Sequence, residues 1–377
     1  NDYRGDEAWS DTDRYRSLGD RQEYWTENTV DWQGVYAQYD WSNDRSTVFA
    51  VGGLTSAEYS STNKFGGALG EDDPVLEADG EMGYQVKFGM SHNLDETYQL
   101  YGTVGYTQLT PSLDKLINDE AFQMNKDFKN EFASFVDFGT RFKSANGQVV
   151  GSVGLYYTLW ENRDLRIQQT DASGDRSYLS VNGQDQAHGG LEYSISYQPL
   201  PVLRFDLRGS ENKWQNVSDV AFNYIRDLRN PTNVTNVRAY MDGTRIGGAP
   251  QSQTSLLITT FVNRMKASLE YETFDNMYSQ YRFGGDGTGV LLGSSSPFTN
   301  PNNLYKHIQQ KAPRQDLVNL LFEYRLDNIK LNLAVFNALD EEIMLDIEDY
   351  GMKGNPRDLS GQPQMMRNYT LGVSYSF

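Results

Sequence analysis

Three histidines, His92, His188 and His307, are the only imidazoles in a chain of 377 residues that contains no cysteine. The lack of cysteine removes thiolate nucleophiles, disulfides and Cys-type zinc sites together. The histidines fall so far apart, by the strand pattern on a short turn, at a strand start and in a long loop, that sequence alone assembles no metal or nucleophile site from them. Gly284-Gly285-Asp286-Gly287 has glycines suited to a phosphate cradle but lacks the strand before and helix after it, so it reads as a flexible loop. The expectation is a protein that is not an enzyme and has no cofactor.

The chemistry that remains is binding. Glu71, Asp72, Asp73, Glu77 and Asp79 crowd one segment, and Asp340, Glu341, Glu342, Asp346, Glu348 and Asp349 crowd another. Such oxygen donors suit Ca²⁺, but neither run has the spacing of a calcium loop. A solvated charge run is the favoured reading, with loop-bound Ca²⁺ as the alternative. Trp25, Tyr281, Phe283 and Tyr305, with Tyr24 and Phe298 beside them, place aromatic rings in segments without strand alternation. There they are candidate contacts for an organic ligand, or packing between loops. A net charge of -18 argues against a nucleic-acid partner, whose phosphates demand a basic footprint.

The elements that must position these residues are strands. The last eleven residues, RNYTLGVSYSF, alternate strictly: Tyr369, Leu371, Val373, Tyr375 and Phe377 share one face, and small polar residues share the other. This suits the closing strand of an outer-membrane barrel, apolar toward lipid and polar toward the lumen, and its apolar face is the candidate barrel-assembly signal. A half-buried final strand of a soluble sandwich is the alternative. Period-two alternation recurs near residues 30–42, 46–60, 82–91, 97–110, 129–143, 148–164, 184–198, 202–213, 253–262, 264–276, 316–326, 329–340 and 365–377. No stretch of eighteen apolar residues exists for a membrane helix. The mean hydropathy of -0.65 does not exclude a barrel, because only alternate strand residues face lipid. Aromatics at 13 % suit interfacial girdles.

The connections alternate too. Tight turns at Asn43-Asp44-Arg45, His92 to Glu96, Ala145-Asn146-Gly147, Pro199-Leu200-Pro201, Asn263 and Asp327-Asn328 interleave with long segments near 61–81, 111–128, 165–183, 214–252, 277–315 and 341–364. Outer-membrane barrels pair short periplasmic turns with long extracellular loops, so the fold class is all-β, an antiparallel transmembrane barrel. A periplasmic C-terminus then puts residues 1–28 outside the cell. A closed single-chain barrel takes an even number of strands with both ends periplasmic, and thirteen is odd. Residues 1–377 are therefore expected to be the C-terminal part of a larger barrel, unless a strand hides in 214–252.

The face opposite the apolar stripe mixes charges. Arg141, Arg204, Arg208, Glu270, Glu272, Glu323 and Arg325 are the candidate lumen or plug contacts, with Lys87, Lys266, Lys330, Asp40, Asp137, Glu192 and Asp206 on the same face. A diffusion porin would carry mainly one sign at its constriction. A mixed wall suits an inserted folded plug, or simple ladder pairing between strands.

Several segments resemble a known family, the β-barrel of TonB-dependent outer-membrane receptors in forms common in Bacteroidota-type bacteria. Phe336-Asn337-Ala338-Leu339-Asp340-Glu341-Glu342 resembles its Asn-Leu-Phe-Asp stretch, with Asn337-Ala338 departing from the usual Asn-Leu, and RNYTLGVSYSF resembles its ending. Leu155 to Arg163, Gly189 to Glu192 with Tyr197 to Pro201, and Gly105 to Leu113 resemble its strands and turns in the same order, so the likeness spans about Val30 to Phe377. The resemblance implies a barrel of about 22 strands around an N-terminal plug, with a Ton box; neither plug nor box is visible in these residues. It implies a Gram-negative outer-membrane receptor that imports an iron chelate such as a siderophore, cobalamin, or a glycan or peptide, using energy supplied through TonB. The implied partners are outer-membrane lipid and lipopolysaccharide (LPS), the TonB complex through the plug, the barrel assembly machinery, and a small-molecule or oligomeric substrate. A passive porin, or a structural subunit of an outer-membrane assembly, is the alternative.

Overall fold

The computed structural model describes residues 26–64, 73–118, 123–125, 128–170, 176–225, 234–279, 309–349 and 359–376. In chain order the strands are β1 (Thr26–Ser42), β2 (Ser46–Asn63), β3 (Val75–Asn93), β4 (Tyr98–Gln108), β5 (Ile117–Asn118), β6 (Gln123–Met124), β7 (Phe132–Lys143), β8 (Val149–Thr170), β9 (Arg176–Leu200), β10 (Leu203–Asn216), β11 (Val220–Ile225), β12 (Val234–Ala239), β13 (Pro250–Val262), β14 (Met265–Met277), β15 (Gln315–Leu326), β16 (Ile329–Phe336), β17 (Met344–Asp349), β18 (Leu359–Pro363) and β19 (Asn368–Tyr375). One helical turn, α1 (Leu113–Leu116), precedes β5. Thirteen of the strands form one antiparallel sheet in the order β1-β2-β3-β4-β7-β8-β9-β10-β13-β14-β15-β16-β19, with β1 and β19 at its edges. All thirteen coincide with the segments expected from alternation. The extra strand considered for 214–252 is a separate hairpin, β11 with β12, and does not join the wall.

The register explains the alternation. Directly paired residues share a face, so Ile195, Leu207, Leu256, Tyr271 and Val318 form one apolar row across five strands. Phe88, Val104, Val136 and Tyr157 form another. No described element covers this face, and its members stay open, Phe88 at 47 %, Val104 at 52 % and Leu371 at 75 %. An uncovered apolar belt of this extent needs lipid as its solvent. Buried apolar clusters are small and sit beneath the long connections: Ala57, Tyr59, Leu116 and Ile117 in one, Met277, Ala312 and Ile347 in another.

Short turns are held by local side chains. Asn43 Oδ1 accepts from the N–H groups of Arg45 and Ser46, at 2.9 and 2.7 Å. Asp95 Oδ1 does the same for Thr97 and Tyr98. Asn263 (φ 52°) and Asp327 (φ 46°) take the left-handed conformation that two-residue hairpins require, which Asn and Asp tolerate best.

The strands run further outward than alternation indicated. β8 and β9 pair as far as Thr170 with Arg176, so most of the supposed loop 165–183 is hairpin. β3 starts at Val75, which puts Glu77 and Asp79 on a strand, and β1 starts at Thr26, inside the segment 1–28 assigned to an extracellular loop. His188 lies well within β9 instead of at a strand start, and His92 is the penultimate residue of β3. The cause is physical: lipid enforces period two only over the roughly 9–11 residues that cross the hydrocarbon. Beyond it both faces meet water, and backbone pairing continues without the pattern. β16, by contrast, stops at Phe336, short of the expected residue 340, because Asn337 (φ 50°) and Asp340 (φ 62°) turn the chain.

Candidate functional site

The inner face of the sheet carries the candidate site. Arg141, Ser152, Ser194, Arg208, Ser255 and Glu272 form one continuous paired row from β7 to β14. All seven charged residues expected in the lumen fall on this face, and they sort into two groups. Arg204 is matched by Asp206, at 3.0 and 2.7 Å. Glu323 is matched by Arg325 at 2.8 Å and Lys330 at 2.7 Å. Ladder pairing within the wall therefore accounts for Arg204, Glu323 and Arg325.

Arg141, Arg208, Glu270 and Glu272 make no ion pair among the described residues. Arg141 lies over the ring of Tyr101, 4.5 Å from its centroid, and donates to Gln99 Oε1 at 2.9 Å. Glu270 and Glu272, two residues apart on β14, both accept from the Asn319 amide, at 3.3 and 3.1 Å, and Ser255 donates to Glu270 at 3.2 Å. Asn319 is itself oriented by the turn after β16, since its Oδ1 accepts from the Asn337 N–H at 3.1 Å. Asn337, 3 % exposed, exchanges two hydrogen bonds with the Glu341 backbone. One asparagine turn thus fixes the amide that holds two like charges together.

Glycines shape the same wall. The Tyr101 ring lies across two neighbouring strands, over Gly139 and Gly154, where an added Cβ would meet its hydroxyl at 2.6 Å. Phe49 covers Gly89 in the same way. Aromatic rings laid over glycines pin the register of a curved sheet and keep the wall open.

An aromatic group that alternation alone did not single out lies nearer the outer mouth. Thr158, His188 and Trp214 are register partners, with Tyr156, Trp160 and Arg163 beside them. Trp214 Nε1 donates to Tyr156 Oη at 2.8 Å, Tyr156 donates to Asn212 at 2.9 Å, and the His188 and Trp214 rings are 5.9 Å apart. Arg163 covers the Trp160 ring at 4.8 Å and donates to Gln186 at 2.6 Å, while His188 Nε2 is buried without a hydrogen-bond partner. The signal that could have found the group is parity: Tyr156, Trp160 and Trp214 stand at inward-facing positions, opposite the apolar belt.

The connection after β4 folds onto the inner face. Leu116 and Ile117 are buried against Ala57 and Tyr59, and Tyr59 Oη donates to the Pro111 carbonyl. Lys115 and Glu131 pair at 3.0 Å with side chains only 3 % and 18 % exposed, and Glu131 also accepts from the Asp164 N–H. This segment therefore covers the outer part of β2 on the inner face.

Of the closing strand, Tyr369, Leu371, Val373 and Tyr375 lie on the outer face, paired with Val335, Leu333, Leu331 and Ile329. Phe377 and the four loop aromatics Trp25, Tyr281, Phe283 and Tyr305 lie outside the described residues. His307 does too. Of the acidic residues proposed for Ca²⁺, the Asp340 carboxylate is taken by the Arg367 guanidinium at 3.1 Å and by the Arg367 N–H at 2.9 Å. No three His, Asp or Glu side chains converge on a metal-sized site among the described residues.

A family model described as TonB dependent receptor-like, beta-barrel matches residues 1–338. No curated protein matches the sequence. Among solved structures, the siderophore receptor PiuA from Acinetobacter baumannii superposes with a TM-score of 0.64 at 12 % identity, over 93 % of this chain and 44 % of its own. The copper transporter OprC superposes with a TM-score of 0.62 at 15 % identity, over 93 % and 48 %. The ferric yersiniabactin uptake receptor FyuA from Yersinia pestis gives 0.60 at 12 %, over 93 % and 46 %. The chain spans less than half the length of each. With the apolar belt outward, the charged wall inward and the family model matching nearly the whole sequence, the chain belongs to the β-barrel family of TonB-dependent outer-membrane receptors.

Proposed function

We propose that this chain is wall and mouth of a receptor that imports a scarce solute, with a plug filling the lumen and the TonB complex supplying the energy to move it. The observation that carries this reading is the set of inner-wall charges of both signs, Arg141 and Arg208 against Glu270 and Glu272, that no described residue matches. A folded polypeptide in the lumen would complete them, whereas a diffusion pore would present mainly one sign. The printed names of the structural relatives, a copper transporter and receptors for siderophores, favour a metal ion or its chelate over cobalamin, glycan or peptide. The aromatic group around Trp214 and the loop aromatics Trp25, Tyr281, Phe283 and Tyr305 are the proposed ligand contacts near the mouth. The outer face of β19 is the proposed signal to the barrel assembly machinery, and the outer belt meets lipid and LPS.

The test is transport by the full-length receptor in its own bacterium. Uptake of radiolabelled ferric chelates should saturate, require the receptor gene and stop when the proton-motive force is collapsed. The purified receptor in planar bilayers should be closed. A large steady conductance together with energy-independent uptake would refute the proposal in favour of a porin.

A further inference from the structure

The paired row that crosses β7 to β10 reads Arg141, Ser152, Ser194, Arg208. Adjacent strands lie roughly 4.8 Å apart, so two guanidinium-bearing residues stand about 14 Å apart with two hydroxyls between them. All four residues line one cavity of about 560 Å³ on the inner wall. Lys143, the last residue of β7, adds a third cation, which places the cavity at the periplasmic end of the lumen.

The carboxylates lining the same cavity are Asp95, Glu96 and Asp206. Asp206 is taken by Arg204. Asp95 accepts the N–H groups of Thr97 and Tyr98 at 2.7 and 2.8 Å. Glu96 stands on the exposed turn, and no carboxylate lies within ion-pair distance of Arg141, Lys143 or Arg208 among the described residues. The partners that hold Arg141, the Tyr101 ring and the Gln99 amide oxygen, orient its guanidinium without cancelling its charge. The Ser152 and Ser194 side chains make no hydrogen bond among the described residues. Glu192 and Glu272 line the adjoining cavity with Ser152, Ser194 and Arg208 but form no ion pair with Arg208, so the row is a local set of cations and hydroxyl donors without an ion-pair partner among the described residues.

We propose that Arg141, Ser152, Ser194 and Arg208 form a cradle for an oxyanion, a carboxylate or phosphate group. It is carried either by the solute on its way to the periplasm or by the polypeptide that fills the lumen. Each planar guanidinium fork grips oxygens of such a group bidentately, and the serine hydroxyls donate along the row between the two arginines. The inference rests on the receptor reading only for the source of the anion, not for the cradle itself.

The test uses the full-length receptor in detergent at low salt, titrated calorimetrically with citrate and with inorganic pyrophosphate. The comparison is between wild type, the charge-removing pair R141Q and R208Q, and the hydroxyl-removing pair S152A and S194A. A solute site predicts probe binding that weakens by at least about tenfold in the arginine pair and by less in the serine pair. An internal carboxylate predicts no probe binding, but faster hydrogen exchange in the lumen-filling polypeptide of the arginine pair, reversed in the charge-keeping pair R141K and R208K. Unchanged titrations together with unchanged exchange overturn the cradle. An open, energy-independent channel would sink the receptor reading but leave the titration intact, so the two failures are distinct.

Discussion

Tyr101 and the two glycines beneath it offer a test in which the geometry fixes which variant can be rescued. A Cβ added at Gly154 would meet the Tyr101 hydroxyl at 2.6 Å, and nothing else closer than 3.7 Å. A Cβ at Gly139 would meet the backbone carbonyl of Val153 at 2.4 Å, the Tyr101 hydroxyl at 2.6 Å and Tyr101 Cζ at 2.7 Å. Overpacking costs about 1–3 kcal/mol. Replacing strand glycine by alanine returns about 0.5–1 kcal/mol through the unfolded chain. Gly154→Ala alone should therefore destabilise by about 1 kcal/mol, and Gly139→Ala by about 2–3 kcal/mol. In a Tyr101→Phe background the only close contact at Gly154 is gone, and Gly154→Ala should become neutral or slightly stabilising. Gly139→Ala should stay costly there, because the carbonyl and ring carbon remain. Tyr101→Phe itself should cost little: its hydroxyl makes no hydrogen bond with a described residue, and Arg141 stacks as well on a phenyl ring. Urea unfolding of the full-length receptor in lipid vesicles, followed by tryptophan fluorescence, measures the cycle. Equal cost for Gly154→Ala in both backgrounds would show that the ring does not lie over the glycine.

Two further outcomes follow from the same wall. Leu155 pairs with Phe138 and Leu191 in the middle of the outer belt, so Leu155→Arg should destabilise by about 2–4 kcal/mol. Thr103→Arg on the inner face, opposite Asp137, should change stability by no more than about 1 kcal/mol, and equal costs in vesicle unfolding would contradict the assignment of faces. Lys115→Met should cost about 3 kcal/mol, the low end for breaking a buried pair because Glu131 keeps the Asp164 N–H. The loss should appear as faster hydrogen exchange in α1 and β5, with the barrel strands unchanged; protection of those residues at the wild-type level would show that the Lys115–Glu131 pair does not hold this segment in place.

How much of this was legible in the sequence depends on where lipid acts. Leu155, Leu191 and Leu371 announced their face because hydrocarbon favours apolar side chains at their positions, and the same constraint exposed all thirteen wall strands. Above the membrane that constraint lapses. The outer parts of β8 and β9, and the β11–β12 and β17–β18 hairpins, are therefore invisible to alternation although their backbones pair, with irregularities around Arg163 and between Met344 and Asp346. Parity also put Arg141, Arg208, Glu270 and Glu272 on one face of the sheet, as the register has them. It could not say which charges were matched, because matching depends on register between strands far apart in sequence. Asn319 reaches Glu270 and Glu272 from β15, and its own orientation comes from Asn337 beyond the next turn. Trp214 meets His188 and Tyr156 only through the β8–β9–β10 register.

That register also constrains whatever occupies the lumen. Where the wall can satisfy itself it does so in compact pairs, Arg204 with Asp206 and Glu323 with Arg325 and Lys330. The unmatched groups mix signs along the wall: Arg141 shares β7 with Asp137, Glu192 on β9 neighbours Arg208 on β10, and Glu270 and Glu272 share β14 with Lys266. Water would solvate such groups at little cost, so in an open pore their arrangement would carry no consequence. A packed lumen excludes most of that water, and each bare charge then demands a partner of opposite sign. A folded occupant would have to meet Arg141 and Arg208 with acceptors and the Glu270–Glu272 pair with donors, which restricts the orientations it can take about the barrel axis. The charges that leave this wall incomplete are therefore the ones that would set how its contents dock.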